Sequence, residues 1–464
     1  MAERLKLREK IGYGFGDMAS SMFWKLFGTY LLFFYTDVFG IAATAVGTMF
    51  LITRVWDTFF DPVVGVIADR TKSKWGKFRP YLLYVSVPFG IIGVLTFTVP
   101  SFSGTWTLVY AYITYSVMMM IYSLINVPYA SLLGVISSDP KQRNILASFR
   151  MAFAFAGSLV ALALIEPLVN IFSKRAGGAP DLRAGWQLAV VVIAAICVLL
   201  FIGCFSWVKE RVQPLKQEKS SLKNDVRDLI QNRPWWILLG AGVAALIFNS
   251  IRDGATIYYF KYVIQNTEAF KIGTTGISWS TLYLIVGQAA NIIGVILASP
   301  VANRAGKKNT FLAAMGTATV LSIIFYWLNA HQILLIFIFQ FFISVCAGII
   351  FPLLWSMYAD IVDYSEWRTG RRATGLIFSS SSMSQKLGWT VGGALTGWLL
   401  GAYGFKANVV QGADVQTGIR MMLSFLPAAG ALLSVFFIAL YPLSEKRVIG
   451  IAGELEEKRK NSIL

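Results

Sequence analysis

Two aspartates four residues apart, in Arg54-Val55-Trp56-Asp57-Thr58-Phe59-Phe60-Asp61-Pro62, stand inside a stretch that is otherwise apolar. On a helix, positions i and i+4 share one face. Two carboxylates on one cavity make an oxygen-rich site for a small hard cation, or hold a proton between them. An ionisable residue at membrane depth costs about 2.5–3.5 kcal/mol on insertion scales, so each one marks a candidate site. The spacing also fits a second reading, in which each Asp clamps a neighbouring Arg.

Other polar groups interrupt apolar runs in the same way. Asp17, Ser20, Ser21 and Lys25 occupy one run, and Tyr122, Ser123 and Asn126 precede Pro128 in another. Arg150 opens a third, Arg252 and Asp253 lie within a fourth, and Lys386 within a fifth. Hydroxyls, an amide, a ring and cations are what a sugar site uses: polar groups fix the hydroxyls while a ring packs on the apolar face of the pyranose. Taken singly, a Ser or Asn in a span more often bonds a neighbouring helix. A further cluster, Asp360-Ile361-Val362-Asp363-Tyr364-Ser365-Glu366-Trp367-Arg368 with Arg371 and Arg372, reads as an ion-paired gate built on Asp360, Asp363 and Arg372.

The elements that must position these groups follow from composition. Of 464 residues 56% are hydrophobic and 14% charged, and the mean hydropathy is +0.62. A soluble domain carries roughly 25% charge. Apolar runs long enough to cross a bilayer recur at 12–38, 43–68, 81–100, 106–136, 146–172 and 187–208, then at 235–264, 277–302, 310–329, 333–360, 373–402 and 419–442. The expected fold is therefore all-α and integral to the membrane, with about twelve transmembrane helices. A six-helix bundle over 1–208 and another over 235–442 flank a polar linker, 209–234, and a tail follows at 443–464. Two such bundles related about the membrane normal are the plan of the major facilitator fold. An internal repeat agrees: Gly65-x-x-x-Asp69-Arg70 leads to Gly76-Lys77 after span two, and Asn303-Arg304-Ala305-Gly306-Lys307-Lys308 follows span eight.

The net charge of +17 would suit a nucleic-acid partner, but its distribution does not. Lys and Arg gather in alternate connections: before span one, at Arg70 to Arg79, in the linker, at Arg304 to Lys308, and in the tail. That bias places both termini in the cytoplasm. Met1 to Lys10 leads into a full-length span, so no cleavable signal is expected. Cys197, Cys204 and Cys346 have neither disulfide nor metal-site spacing, and His331 is the one histidine. No nucleophile, metal or acid–base pair stands at a membrane surface, so an enzyme is not expected.

Several blocks carry a resemblance. They are Gly12-Tyr13-Gly14-Phe15-Gly16-Asp17, Tyr35-Thr36-Asp37, Arg54 through Pro62, Trp75-Gly76-Lys77-Phe78-Arg79-Pro80, Asn126-Val127-Pro128-Tyr129, Asp360 to Tyr364, and Lys386. In their order and spacing, over nearly the whole chain, the protein resembles the glycoside–pentoside–hexuronide:cation symporters, a branch of the major facilitator superfamily. The resemblance implies a bacterial inner-membrane carrier that imports a sugar with H+ or Na+ by alternating access, without a resident cofactor, and works as a monomer in the bilayer. It implies a cation site at Asp57, Asp61 and Ser123, which is a metal site only if the ion is Na+. Phe60 stands where melibiose carriers of the branch have Asn, and a ring cannot coordinate Na+, which leaves protons open. The implied sugar residues are Ser21, Lys25, Tyr122, Asn126, Arg150 and Lys386. Ser21 and Asn126 replace two sugar-binding carboxylates of those carriers, while Lys25, Arg150 and Lys386 supply positive charge. That exchange leads to the expectation of a sugar that either carries a negative charge or is a neutral glycoside close in shape to a uronide. A neutral pentoside follows instead if Asp17 and Asp253 balance the cations. A lipid or amphiphile carrier and a nontransporting sugar sensor of the same fold are the alternatives.

Overall fold

A computed structural model describes residues 5–101, 104–137, 140–174, 180–211, 227–265, 268–272, 275–370 and 374–461. Span one runs over Leu7–Thr29 and Leu31–Phe33 and ends in a π-helical turn, Phe34–Phe39. Spans two to six follow as Ala43–Arg70, then Arg79–Tyr84 with Ser86–Thr96, Thr105–Ile136, Pro140–Ser173 and Leu182–Trp207. Span seven, Arg233–Tyr258, also ends in a π turn, Tyr259–Ile264. Spans eight to eleven are Trp279–Ala305, Lys307–Phe325, Ile333–Thr369 and Thr374–Ala402. Span twelve is Ala413–Leu423 with Phe425–Ala439, and a tail helix covers Glu445–Asn461.

Among the described residues, eight of these helices are long and apolar enough to cross a membrane by length and composition alone. The four that are not have physical reasons. Spans one and two carry the charges at Asp17, Lys25, Arg54, Asp57 and Asp61, span three is interrupted at Val85, and span eleven contains the run Ser379 to Ser382. After span seven the chain forms an antiparallel hairpin, Glu268–Ile272 against Thr275–Ser278, with Phe270 opposite Ile277. The apolar periodicity does not foretell it, because the strands are short and lie between two long helical patterns.

The chain forms two compact units. The first holds Met1–Lys216, Thr256–Ile285 and Gly397–Val415. Within it span five lies along span one, so close that a β-carbon at Gly157 would overlap the Met18 carbonyl. At the far end of span one Phe34, Phe97 and Trp186 pack together, with centroids 5.1–5.9 Å apart. Just after span six, Glu210 accepts backbone N–H bonds from Lys77, Phe78 and Arg79 at 2.9, 2.8 and 2.9 Å, capping the start of span three. Gly76 makes the preceding turn at φ +111°.

The second unit holds Gln217–Ala255, Val286–Thr396 and Gln416–Leu464. Its core includes Phe248, Phe311, Met315, Ile343, Leu354 and Tyr358. The device seen in the first unit recurs here. Gly306 turns at φ +81°, and the next residue, Lys307, points its N–H at Glu445 just after span twelve, 3.4 Å away. The repeat at Gly76 and Gly306 therefore extends to a carboxylate 134 residues on in one half and 139 in the other.

Candidate functional site

The i, i+4 carboxylates lie on span two of the first unit. Asp57 is 3% exposed and Asp61, one turn later, is half-buried. The Ser123 hydroxyl of span four donates to Asp57 Oδ1 at 2.7 Å, so span four reaches the carboxylate pair directly. One turn before Asp57, Arg54 is buried. Its Nε donates to the Tyr115 hydroxyl at 3.0 Å, and its guanidinium lies 4.3 Å from the Trp24 ring centroid. Two carboxylates and a hydroxyl form an oxygen donor set suited to a small cation or a proton. Among the described residues no three His, Cys, Asp or Glu side chains gather as a metal cluster.

Span four carries the adjoining polar group. Asn126, three residues beyond Ser123, donates from Nδ2 to the Tyr122 carbonyl at 3.0 Å and accepts from the Ser20 hydroxyl at 2.7 Å. The Tyr122 ring lies between Trp24 and Phe89, at centroid distances of 5.6 and 6.2 Å. Arg150 of span five donates from Nε to Asp17 Oδ2 at 3.0 Å, and its guanidinium sits over the Tyr129 ring. Tyr129 in turn stacks on Tyr13 and donates to the Tyr13 carbonyl at 2.7 Å. The close approach of Gly157 to Met18 holds spans one and five at the separation this ion pair needs.

Spans one, two, four and five thus bring together Asp57, Asp61, Ser123, Tyr122, Asn126 and Arg150 in one unit. Ser21 and Lys25 are half-buried on span one of that unit, and Lys386 belongs to span eleven of the second unit. Of the expected gate, Asp360 is tied to Lys307 Nζ at 2.7 and 2.8 Å, so its cation comes from the start of span nine. Asp363 is half-buried nearby on the same helix, and Arg372 lies outside the described residues. Trp24 and Lys307 were not among the candidates. Trp24 had a signal, since Asp17, Ser20 and Trp24 recur at helical spacing of three and four.

A chain of membrane-spanning helices, with charges and hydroxyls grouped on buried helix faces, is a transporter rather than an enzyme. Its fold is that of the major facilitators: a nucleoside transporter, NupG, superposes with a TM-score of 0.67 at 12% identity, over 94% of this chain and 100% of that one. The chain belongs to the MFS/sugar transport protein family, whose profile matches residues 12–445. Within it the chain is 36% identical to a putative glycoside/cation symporter of Escherichia coli K12, over 98% of this chain and 96% of the relative. It is 34% identical to an isoprimeverose transporter of Lactiplantibacillus pentosus, over 97% and 91% respectively.

Proposed function

We propose that the protein imports a neutral glycoside together with one monovalent cation, H+ or Na+, by alternating access across a bacterial inner membrane. In this reading both termini are cytoplasmic and the monomer is the working unit. The observation that carries it is on span four. Ser123 bonds the cation carboxylate Asp57, and three residues on, Asn126 bonds Ser20 beside the Trp24 and Tyr122 rings. One rigid turn of helix therefore connects the cation's ligands to the sugar's, which is what coupling requires: each ligand must favour the conformation that binds the other.

The neutral substrate is supported by the Asp17–Arg150 pair, which balances the guanidinium within the protein. A pyranose ring then packs on Trp24 and Tyr122, and its hydroxyls exchange bonds with Asn126, Ser20 and the ion pair. The names of the two relatives, a putative glycoside/cation symporter and an isoprimeverose transporter, support a glycoside substrate.

The test is uptake into energised membrane vesicles. Asp57→Asn and Asp61→Asn each abolish accumulation against a gradient while leaving downhill exchange of the same sugar. Full accumulation by either variant refutes the cation assignment. Competition by a matched glucoside and glucuronide tests the charge, and stronger inhibition by the glucuronide refutes the neutral reading.

A further inference from the structure

The end of the first unit reached by the far end of span one holds a polar cluster that the site above does not use. The π turns Phe34–Phe39 and Tyr259–Ile264 occupy the same place in the two halves of the sequence. Each has six residues, and each is stopped by a left-handed residue, Gly40 at φ +88° and Gln265 at φ +60°. Such turns insert an extra residue into a helix and recur at functional positions. Here they meet through side chains.

The Asp37 side chain, 1% exposed, is the centre. Its Oδ1 accepts from Lys261 Nζ at 2.6 Å and from the Tyr262 hydroxyl, and its Oδ2 accepts from Thr36 Oγ1 at 2.7 Å. The Tyr258 hydroxyl completes the chain at 2.7 Å from Thr36 Oγ1. Asn408, left-handed at φ +58°, lies across the pair. Its Nδ2 donates to the Asp37 carbonyl at 2.7 Å, its N–H to the Tyr262 hydroxyl at 2.9 Å, and its Oδ1 accepts from Lys261 at 2.9 Å. Two more pairs of residues join nearby parts of the chain. Tyr30 and Thr281 hydroxyls are 3.3 Å apart, and Glu166 accepts the N–H and hydroxyl of Ser278 at 3.0 and 2.9 Å.

We propose that Asp37 and Lys261, with Asn408 across them, are a charged latch that closes the outer end of the carrier and parts each time that end opens. The bonds to Asp37 from Lys261, Tyr262 and Asn408, and that between Thr36 and Tyr258, join the first half of the sequence to the second. A passage wide enough for a hydrated solute cannot form between segments held so. The chemistry also suits repeated opening. An ion pair taken out of water gives back much of its attraction as lost hydration, so the closed latch is only modestly favoured. When the end opens, water enters and both charges recover their hydration. An apolar seam of the same area would gain nothing from that water and would resist opening.

The test reads conformation rather than transport, so it stands or falls independently of the sugar and cation assignments. Thr281 is 2% exposed, and Thr281→Cys is a nearly isosteric reporter once Cys197, Cys204 and Cys346 are replaced by Ala. Intact cells are treated with a membrane-impermeant maleimide. Asp37→Asn and Lys261→Met each raise the labelling rate, on the order of tenfold for a shift of about 1.4 kcal/mol in the closed–open balance. The double variant labels no faster than the faster single one, because both remove the same contact. Asn408→Ala removes the side-chain bonds of an exposed residue, and it raises labelling in the same direction by a smaller factor. Unchanged labelling in Asn408→Ala and in either charge variant overturns the proposal, as does strict multiplication of the two single effects in the double variant.

Discussion

Span twelve contains a break whose repair comes from another helix. The segment Ala413–Leu423 stops, Ser424 takes φ −125° and ψ −93°, and Phe425–Ala439 resumes. In a continuous helix the Leu423 carbonyl would accept from the N–H of residue 427, but Pro427 has none. Arg252 Nη1 donates to that carbonyl instead, at 2.5 Å, while Nη2 donates to Gln340 Oε1 at 2.8 Å. Arg252 is 6% exposed, and its guanidinium lies near the Phe248 and Phe325 rings. Arg252→Met keeps the bulk and removes both donors. Gln340 can turn its amide elsewhere, but the main-chain carbonyl is fixed, so the stranded acceptor costs about 1–3 kcal/mol. Adding Pro427→Ala returns an N–H four residues along and lets the helix close over the break. The two substitutions are therefore coupled: Arg252→Met destabilises the Pro427→Ala protein by about 1–2 kcal/mol less than the parent. Denaturant unfolding of the four purified proteins in the same detergent measures the cycle. A coupling within about 0.5 kcal/mol of zero refutes the account.

Two further predictions concern the cap and the helix contact. Glu210→Ala removes a charged acceptor from three backbone donors and lowers stability by about 2–3 kcal/mol, whereas Glu445→Ala, losing one long bond, costs under about 1 kcal/mol; equal losses in a thermal-unfolding comparison contradict the bond geometry. Gly157→Ala drives a methyl into the Met18 carbonyl, costs about 1–3 kcal/mol and loosens Asp17 from Arg150, so uptake falls. Gly134→Ala, with open space at its β-carbon, is the control and leaves both unchanged.

What could be read from the sequence was what depends on near neighbours. Asp57 and Asp61 were legible because i, i+4 spacing and an apolar setting are local properties. Span two could be drawn to within two residues of its observed end for the same reason. Asp17 and Arg150 were both visible as charges in apolar runs. Their pairing was not, because it depends on span five approaching span one at Gly157 and is separated by 133 residues. Lys307 looked like any basic turn residue until Asp360 appeared beside it. Lys261 and Asn408 belong to apolar or Gly-rich ends with no periodic signature. The π turns were hidden because Phe34-Tyr35-Thr36-Asp37 and Tyr259-Phe260-Lys261-Tyr262 serve equally well in an ordinary α-helix. Only the meeting of the two turns shows why the extra residue is there.

The paired carboxylates Glu210 and Glu445 bear on how the polypeptide can be cut. Each closes its own half by returning from the end of that half's last span to the turn before its third, at Gly76 or Gly306. Neither bond uses a group from residues 212–226, which connect the halves. A pull on that connection meets Glu210 and its three backbone donors before it reaches a helix. Two fragments made by severing the chain there would each keep the fastening at their own end.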